Sequence, residues 1–408
     1  MKTKTIFRWK PGRFARSSSA LFAWMVLRAG AQAATILLLA RTLGAAEYGR
    51  YVTVLAVASF LVPFVGLGLA SVLLRNGAKD PAHIDNYLAR AMHGWWVSLP
   101  FCLAAAWLAA EWLLPTSIPR MAACAAITAE LVATSLTELR ARHLQAQHRI
   151  AGYGSINAGL VLCRLAVIAA YILLVDHIGA EQLLWVYASA STTYAAAILL
   201  SIKRGSRKLE MREPMNLFTG VPFSMAAFSM RLQTELNKPL LAHIGFDLAG
   251  TYNAGQRANE LASMPLLALQ EALWPKLYAQ TDPGKQLRTV GAFLMALSIL
   301  LGTLIWLIAP LLPQLLGADF APASTVVRGL AALPTLQVFR GLANFHVIHQ
   351  GRMPLIGWTY TIGAATSVLI LALLVPEYGL AGAIISAYTT EIVMTAILIV
   401  GAKISFSK

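Results

Sequence analysis

The chain contains 408 residues, of which 58% are hydrophobic and 12% are charged, and its mean hydropathy is +0.63. Soluble domains are usually about 45–50% apolar and about 25% charged, so these values exclude an ordinary soluble protein. The net charge is +15, but the cations lie mostly in short segments between apolar stretches. This placement is typical of a protein oriented in a membrane, so we expect no nucleic-acid partner.

The sequence offers little for redox, metal or nucleotide chemistry. Its three cysteines, Cys102, Cys124 and Cys163, lie within apolar stretches, and an odd number of buried cysteines argues against a disulfide framework. No Cys/His pair has zinc-ligand spacing, and no GxxxxGK phosphate loop is present. We therefore expect no metal site, no cofactor and no ATP hydrolysis by this chain.

Long apolar runs predict an all-α polytopic membrane protein, since a bilayer span needs roughly 20 apolar residues. Twelve transmembrane helices are predicted, and the seventh and eighth contain the most polar groups. Their limits are residues 18–40, 51–74, 91–112, 118–139, 152–175, 183–202, 217–243, 249–273, 289–313, 323–347, 353–375 and 379–402.

The uneven distribution of cations predicts the orientation. With a cytoplasmic N-terminus, 23 of the 33 Lys and Arg residues fall in cytoplasmic segments, four fall outside and six fall within spans. This asymmetry follows the positive-inside rule and predicts that both termini are cytoplasmic. The basic start and the small residues 29–34 would also allow a cleaved signal peptide. However, the apolar run continues to Ala40 and contains Arg28, which favours an uncleaved first span.

The two halves of the chain repeat a short pattern at an offset of about 200 residues. The matched residues are Gly44, Gly49 and Tyr51 with Gly245, Gly250 and Tyr252, and residues 173–179 with 373–379. Because six spans separate the halves, the repeats have the same orientation, which predicts two six-helix bundles around a central cavity. The predicted segments are a basic N-terminus (1–17), an N-terminal bundle (18–202), a cytoplasmic linker (203–216), a C-terminal bundle (217–402) and a tail (403–408).

Ionisable side chains within the predicted spans are costly and normally face a bundle interior or a wet cavity. The candidate substrate-binding residues are Arg28, Gln32, Arg231, Lys238, Asn253, Gln256 and Arg257. The candidates for ion coupling are Glu130, Glu235, Glu260 and Glu391. A purely structural interpretation also exists, in which Arg231–Glu235 and Arg257–Glu260 are intrahelical ion pairs. Arg164 and Arg340 fit a structural role as well as a functional one.

Two motifs give the sequence a family resemblance. LARTLGAAEYGRY (residues 39–51) resembles the turn between the first two helices of bacterial polysaccharide repeat-unit flippases. LLVPEYGLAGAIISA (residues 373–387) resembles the turn between their last two helices. These flippases are the O-antigen, capsule and exopolysaccharide translocases of the multidrug/oligosaccharidyl-lipid/polysaccharide exporter superfamily.

The resemblance implies a V-shaped, two-bundle transporter in the bacterial inner membrane. Such a protein moves undecaprenyl-pyrophosphate-linked oligosaccharides from the cytoplasmic to the periplasmic leaflet, with membrane lipids as its surroundings. A glycan polymerase and a chain-length regulator are further partners that fit this role. Cationic cavity residues would hold the pyrophosphate, since guanidinium binds phosphate oxygens bidentately, and Asn253, Gln256 and Asn259 would bind sugar hydroxyls.

Two other functions are compatible with parts of the sequence. An ion-coupled small-molecule exporter of the same superfamily would share the architecture, but the first helix here carries Arg28 and no acidic residue. A membrane-embedded glycan polymerase would need a constellation of reactive side chains on an outer loop. The predicted outer loops are short and contain none, so we expect a transporter and not an enzyme. The glycan itself is not encoded in any motif.

Overall fold

The computed structural model describes residues 13–205, 216–278 and 284–403. Within these ranges the chain forms fifteen α-helices and no strand. The helices are α1 (Arg13–Leu61), α2 (Leu69–Lys79), α3 (Ile84–Leu113), α4 (Arg120–Ala146), α5 (Ile150–Leu174), α6 (Ala180–Gly205), α7 (Val221–Glu235), α8 (Asn237–Ala242), α9 (Phe246–Tyr278), α10 (Gly284–Ile308), α11 (Leu312–Leu316), α12 (Ala321–Leu330), α13 (Leu333–His349), α14 (Met353–Tyr378) and α15 (Leu380–Lys403).

Eight helical segments of the described chain are long and apolar enough to cross a membrane. The first of them, Phe22–Phe64, contains two predicted spans, because α1 continues through the turn between them. The predicted seventh, eighth and tenth spans lie outside this set and correspond to α7 with α8, to α9, and to α12 with α13. The predicted fold, an all-α polytopic membrane protein, is confirmed.

The predicted loop over residues 41–50 is wrong, because this segment is helical except at one residue. Gly44 has a φ of 71° and a ψ of 174°, a conformation that glycine adopts without the steric cost a Cβ would bring. The chain therefore changes direction at a single residue between the first two spans.

The predicted continuous second and tenth spans are also wrong. The second span is broken between α1 and α2, where Gly66, Leu67 and Gly68 all have positive φ values and Ser98 Oγ accepts a hydrogen bond from Gly66 N at 2.7 Å. The tenth span is broken between α12 and α13, and Pro334 occupies the start of the second piece. Proline suits a helix start because it has no N–H to donate to a preceding turn.

The helices pack as two groups, called here the first half (α1–α6) and the second half (α7–α15). The main contact between them is that of α1 with α9. A Cβ added to Gly49 would lie 1.8 Å from the carbonyl oxygen of Phe246, and one added to Gly250 would lie 2.2 Å from that of Ala45. The two backbones therefore touch, and only glycine fits at both positions. Gly49 and Gly250 are matched residues of the repeat, so the halves cross at an equivalent point.

The two ends of the molecule differ in charge. One end, called here the basic end, contains the α2–α3, α4–α5 and α13–α14 connections. It carries Arg75, Lys79, Arg90, Arg142, Arg149 and Arg352. The α1–α9 crossing lies toward the opposite end, close to the kink at Gly44 and the α8–α9 connection. Helix ends thus place most described loop cations on one side, as the sequence predicts for a membrane protein.

Candidate functional site

A cavity of about 570 Å³ lies between the two halves and is lined by α1, α4, α5, α6, α7 and α9. Toward the opposite end it stops at the α1–α9 crossing, where buried Asn253 donates a 2.7 Å hydrogen bond to the hydroxyl of buried Tyr48. Toward the basic end it reaches Glu138 and Arg142, whose side chains are 46% and 32% exposed. The cavity is therefore accessible from the basic end and closed at the other.

Most of the sequence-predicted residues lie in this cavity wall. The wall contains Arg28, Gln32, Glu130, Arg231, Glu235, Asn253, Arg257 and Glu260. Two further predicted residues, Lys238 and Gln256, lie in direct contact with wall residues and are buried. Glu391 lies elsewhere, in the second half, and is not among the wall residues.

Arg28 and Arg231 are the cavity-wall cations that form no ion pair with a carboxylate in the described part of the chain, although Arg231 interacts electrostatically with Glu130 and Glu235 at longer range. Arg28 lies on α1 and Arg231 on α7, the first helix of each half, and both side chains are exposed to the cavity. Because both are cations, they repel each other. An anion between them would relieve that repulsion and accept hydrogen bonds from guanidinium groups that form no direct ion pair with a described carboxylate.

Arg257 has the opposite environment, since two carboxylates hold it. Its Nη2 lies 3.0 Å from Glu235 Oε1, and its Nη1 lies 2.7 Å from Glu260 Oε2. The other oxygen of Glu235 accepts a hydrogen bond from Lys238 Nζ, which is 1% exposed. The interpretation of Arg257–Glu260 as an intrahelical pair agrees with this geometry. The alternative Arg231–Glu235 pair does not, because Glu235 is shared between Lys238 and Arg257.

Gln256 extends this network on α9. Its Nε2 donates to Glu260 Oε1 at 2.9 Å and to the carbonyl of Thr234 at 3.1 Å. It thereby connects α9 to the end of α7 and fixes the carboxylate that Arg257 contacts. The amide of Asn253 is also engaged in a contact within the protein, because it donates a hydrogen bond to the hydroxyl of Tyr48 in the first half. Two of the three predicted sugar-binding amides, Asn253 and Gln256, are therefore engaged in contacts within the protein in this conformation. The third, Asn259, is buried and is not among the wall residues.

A second buried cluster lies in the cavity wall of the first half. Arg164 Nη2 on α5 is 2.6 Å from Glu130 Oε2 on α4, and its Nε donates to Ser191 Oγ on α6 at 2.9 Å. Tyr187 donates to the same Glu130 oxygen, and the Arg164 guanidinium lies 4.4 Å from the centre of the Tyr187 ring. The cluster joins three helices. Residues 34 apart carry no local pattern, so the sequence alone gives no signal for this pair.

The second half contains a comparable cluster outside the cavity wall. Arg340 Nε on α13 lies 2.6 Å from Glu391 Oε2 on α15, and its Nη1 donates to the Tyr360 hydroxyl on α14 at 3.1 Å. Each half therefore has one Arg–Glu–Tyr cluster that joins three successive spans. This geometry favours a structural role for Arg340, one of the two interpretations that the sequence left open.

Another cavity, of about 630 Å³, opens at the opposite end within the first half. It contains the carboxylates Glu47, Asp176 and Glu181 but a single arginine, Arg50, which is paired with Glu47. Its excess of acidic groups would repel an anion, and it contains none of the predicted binding residues. The cavity between the halves is therefore the candidate site.

Solved structures of other membrane proteins share this fold. A lipid II flippase MurJ in an inward closed conformation superimposes with a TM-score of 0.75 at 12% identity, covering 95% of this chain and 87% of that one. An inward-facing multidrug resistance MATE family transporter of the MOP superfamily gives 0.71 at 14% identity, with 92% and 94% coverage. An outward-facing structure of a transporter from that family gives 0.57 at 14% identity, with 96% and 95% coverage. The fold is that of the MOP-superfamily flippases and exporters.

The sequence match is narrower than the fold match. Residues 14–279 match the family described as polysaccharide biosynthesis protein, so the chain belongs to that family. No curated protein matches the chain in sequence. The matched range includes residues 39–51, so the resemblance to polysaccharide flippases is confirmed at the level of the family, whereas the second motif, residues 373–387, lies outside that range and stays a prediction. The chain is a multi-pass membrane protein.

Proposed function

We propose that this protein is a flippase for undecaprenyl-pyrophosphate-linked oligosaccharides in the bacterial inner membrane. The basic end faces the cytoplasm, both termini are cytoplasmic, and the lipid-linked sugar moves to the periplasmic leaflet. One observation carries the proposal: Arg28 and Arg231, one from each half, line the same cavity and have no described carboxylate partner. Membership of a polysaccharide biosynthesis family supports a saccharide cargo.

The balance of charges in the cavity suits a pyrophosphate. Its wall contains five arginines and four glutamates, and the buried Lys238 adds one positive charge behind the wall. Three of the arginines, Arg142, Arg164 and Arg257, contact the four glutamates. Lys238 and Arg257 together balance Glu235 and Glu260, so the surplus charge is that of Arg28 and Arg231. Two guanidinium forks can each bind phosphoryl oxygens bidentately, and arginine keeps its charge in a partly dry cavity.

The remaining wall groups suit the rest of the cargo. Gln32, Thr35 and Asn157 provide neutral donors and acceptors for sugar hydroxyls near Arg28. The polyprenyl tail stays in the bilayer, beside the exposed apolar side chains of Phe22, Met25 and Leu27 that precede Arg28 on α1. No covalent step is required. Transport follows from an exchange between two arrangements of the halves, of which this structure shows the one open at the basic end.

An ion-coupled small-molecule exporter is the second candidate, and Glu260 is the observation that favours it. Its side chain is 39% exposed to the cavity, whereas that of Glu235 is 5% exposed. Among the proposed coupling residues, Glu260 is thus the carboxylate that cavity water and ions reach most easily. Glu130 is fully engaged by Arg164, Tyr187 and Thr134, and Glu391 by Arg340.

The first test removes the two unpaired cations. We expect Arg28→Ala and Arg231→Ala each to abolish export of the surface polysaccharide in a deletion strain, with one repeat unit accumulating on undecaprenyl pyrophosphate. The measurement is surface-glycan analysis together with mass spectrometry of lipid-linked intermediates. Lys79→Ala is the matched control, since it removes a described cation of the basic end outside the cavity wall. Normal glycan in both arginine variants at wild-type protein levels would refute the proposal.

A further inference from the structure

The chain between α10 and α12 lies across the closed end of the central cavity, and we call this segment, residues 309–320, the strap. Its middle part is the five-residue helix α11. The strap belongs to the second half, but it contacts α1 of the first half as well as α9. It therefore crosses the boundary along which the halves must separate if this end is to open.

The inner side of the strap packs at the α1–α9 crossing. Phe320 is completely buried, and its ring makes an edge-on contact with that of Tyr48, with 5.9 Å between the ring centres. Tyr48 is also the residue that accepts the hydrogen bond from Asn253. Asp319 lies beside the kink in α1, since a Cβ added to Gly44 would lie 3.0 Å from its Oδ2. The strap thus meets α1 both at the kink and at the crossing.

The outer side of the strap is held by an arginine of the first half. Arg41, which precedes the kink in α1, donates through Nε to the carbonyl of Leu315 at 2.6 Å and through Nη2 to that of Gln314 at 3.3 Å. Both carbonyls belong to the last turn of α11, and the final carbonyls of a helix have no partner within the helix. Arginine side chains commonly bind such carbonyls. Arg41 is therefore a C-terminal cap for α11 that the other half supplies.

The geometry of this contact allows it to form only when the halves are together at this end. Its acceptors are backbone atoms, and Gly317 ends α11 with φ 120° and ψ 157°, a conformation essentially restricted to glycine. The carbonyls therefore cannot follow Arg41 if the halves part. The Arg41 side chain is exposed, so water can replace the carbonyls once they separate. The contact can thus break and re-form during exchange between two arrangements.

We propose that Arg41 and the strap form a latch that holds this end of the transporter closed. The latch stabilises the arrangement seen here, in which the central cavity is accessible from the basic end, over one that is open at the strap. It rests on the exchange between two arrangements in the proposed function, but not on the identity of the cargo. Arg41 is not among the residues of the cavity wall, so it acts on the exchange and not on cargo binding.

The test measures the separation of the halves at the strap end in the purified full chain. Spin labels on the exposed positions Glu181→Cys of α6 and Glu377→Cys of α14 place one probe on each half, after Cys124 and Cys163 are replaced by serine. Double electron–electron resonance in nanodiscs then gives the distribution of distances. We expect Arg41→Gln to raise the ratio of separated to closed molecules about tenfold, since it removes charge-assisted hydrogen bonds.

Arg120→Gln is the matched control for loss of a cation at this end of the molecule. Arg120 lies 3.3 Å from Glu111 Oε2 and donates to the carbonyl of Ala110 at 3.3 Å, so these contacts remain within the first half. The control should keep the wild-type ratio. Arg41→Lys, which keeps the charge but not the fork of donors, should have a smaller effect than Arg41→Gln.

Gly317→Ala disturbs the latch from the strap without changing any charge. Alanine is strained at a φ of 120°, so the last turn of α11 must shift away from Arg41, and we expect the separated population to rise. Gly357→Ala is its control, because no atom lies within 4 Å of a Cβ there and its φ is not positive.

The latch is overturned if Arg41→Gln and Gly317→Ala both elute as folded protein and keep the wild-type distances. It is also overturned if Arg120→Gln changes the distances as much as Arg41→Gln does. The measurement involves no glycan. A failed latch therefore leaves the flippase proposal intact, and normal glycan export in the cavity variants would leave the latch intact.

Discussion

The role of an intramembrane cation in this protein depends on its partner. Arg164 and Arg340 are each held by a carboxylate and a tyrosine at the junction of three helices, whereas Arg28 and Arg231 face the cavity without a described acid. A buried charge with a complete shell of partners contributes to structure. A charge facing an accessible cavity without a partner remains available for a ligand. The same residue type thus serves two purposes within one fold.

The Glu130–Arg164 pair gives a prediction at the scale of single residues. We expect Glu130→Gln to destabilise the first half by about 3–5 kcal/mol, because it leaves the mostly buried Arg164 guanidinium without its counter-charge. Replacing both partners, as in Glu130→Gln/Arg164→Met, should be less destabilising than the single change, since no uncompensated charge remains. Thermal unfolding of the detergent-solubilised variants measures the order of their stabilities.

The matched control for that comparison is the more exposed Glu138–Arg142 pair on the same helix, 3.7 Å apart. Glu138→Gln should change stability by less than about 1 kcal/mol, because exposed ion pairs contribute little. If the double variant were the least stable of the set, the cluster would owe its stability to packing and hydrogen bonds and not to charge compensation.

At the scale of helices, two glycines control how closely the halves approach. Gly250→Ala should open the α1–α9 crossing, because its Cβ would lie 2.2 Å from the Ala45 carbonyl, a backbone atom that cannot rotate away. Overpacking of this kind costs about 1–3 kcal/mol. We expect a lower thermal stability and a looser closed end, measured as a lower melting temperature and as faster proteolysis near Gly44.

Gly30→Ala and Gly357→Ala are controls for helix propensity, because no atom lies within 4 Å of a Cβ at either position. Both should be neutral or slightly stabilising, since alanine is the better helix former. A Gly250→Ala variant that behaves like these controls would show that the crossing relaxes at little cost.

The helices show which features the sequence can and cannot predict. Most spans follow from apolar runs, but the seventh, eighth and tenth fall below the length and apolarity of a membrane-crossing helix, and the tenth is broken between α12 and α13. The helix through residues 41–50 was missed, because turn-like residues there predict a loop and only Gly44 departs from helical geometry. The break at residues 62–68 was missed because its residues are as apolar as the helices around it, although Pro63, Gly66 and Gly68 are the residue types that favour a helix break. Hydropathy reports burial in lipid and carries no information on backbone continuity.

For the whole molecule, the contacts between the halves were beyond sequence reasoning. Tyr48 and Asn253, which join the halves, are 205 residues apart. Within the second half, the pair of Arg257 with Glu235 on another helix was equally beyond sequence reasoning. The repeat nevertheless predicted that the halves are related, and its matched glycines are the point where they cross. Candidate residues could therefore be assigned to one cavity from span positions, but the distinction between paired and unpaired cations required the structure.

Because the cavity is closed at the α1–α9 crossing and accessible from the basic end, we can predict from which side of the membrane a reagent reaches it. A cysteine placed in the cavity, Thr35→Cys, should react with a membrane-impermeant maleimide in inverted vesicles and be protected in spheroplasts. The reason is that the cavity reaches Glu138 and Arg142 at the basic end and stops at Tyr48 and Asn253 toward the other. Cys124 and Cys163, which are partly exposed, are first replaced by serine.

The exposed Glu181 at the start of α6 provides the opposite control, since Glu181→Cys should react in spheroplasts only. Reaction of both cysteines on the same side would contradict the predicted orientation. Reaction of the Thr35 variant from both sides would mean that the halves exchange rapidly between arrangements. In that case Gly250→Ala should increase labelling from spheroplasts further, because the crossing is the barrier that the cavity must open to release its cargo outward.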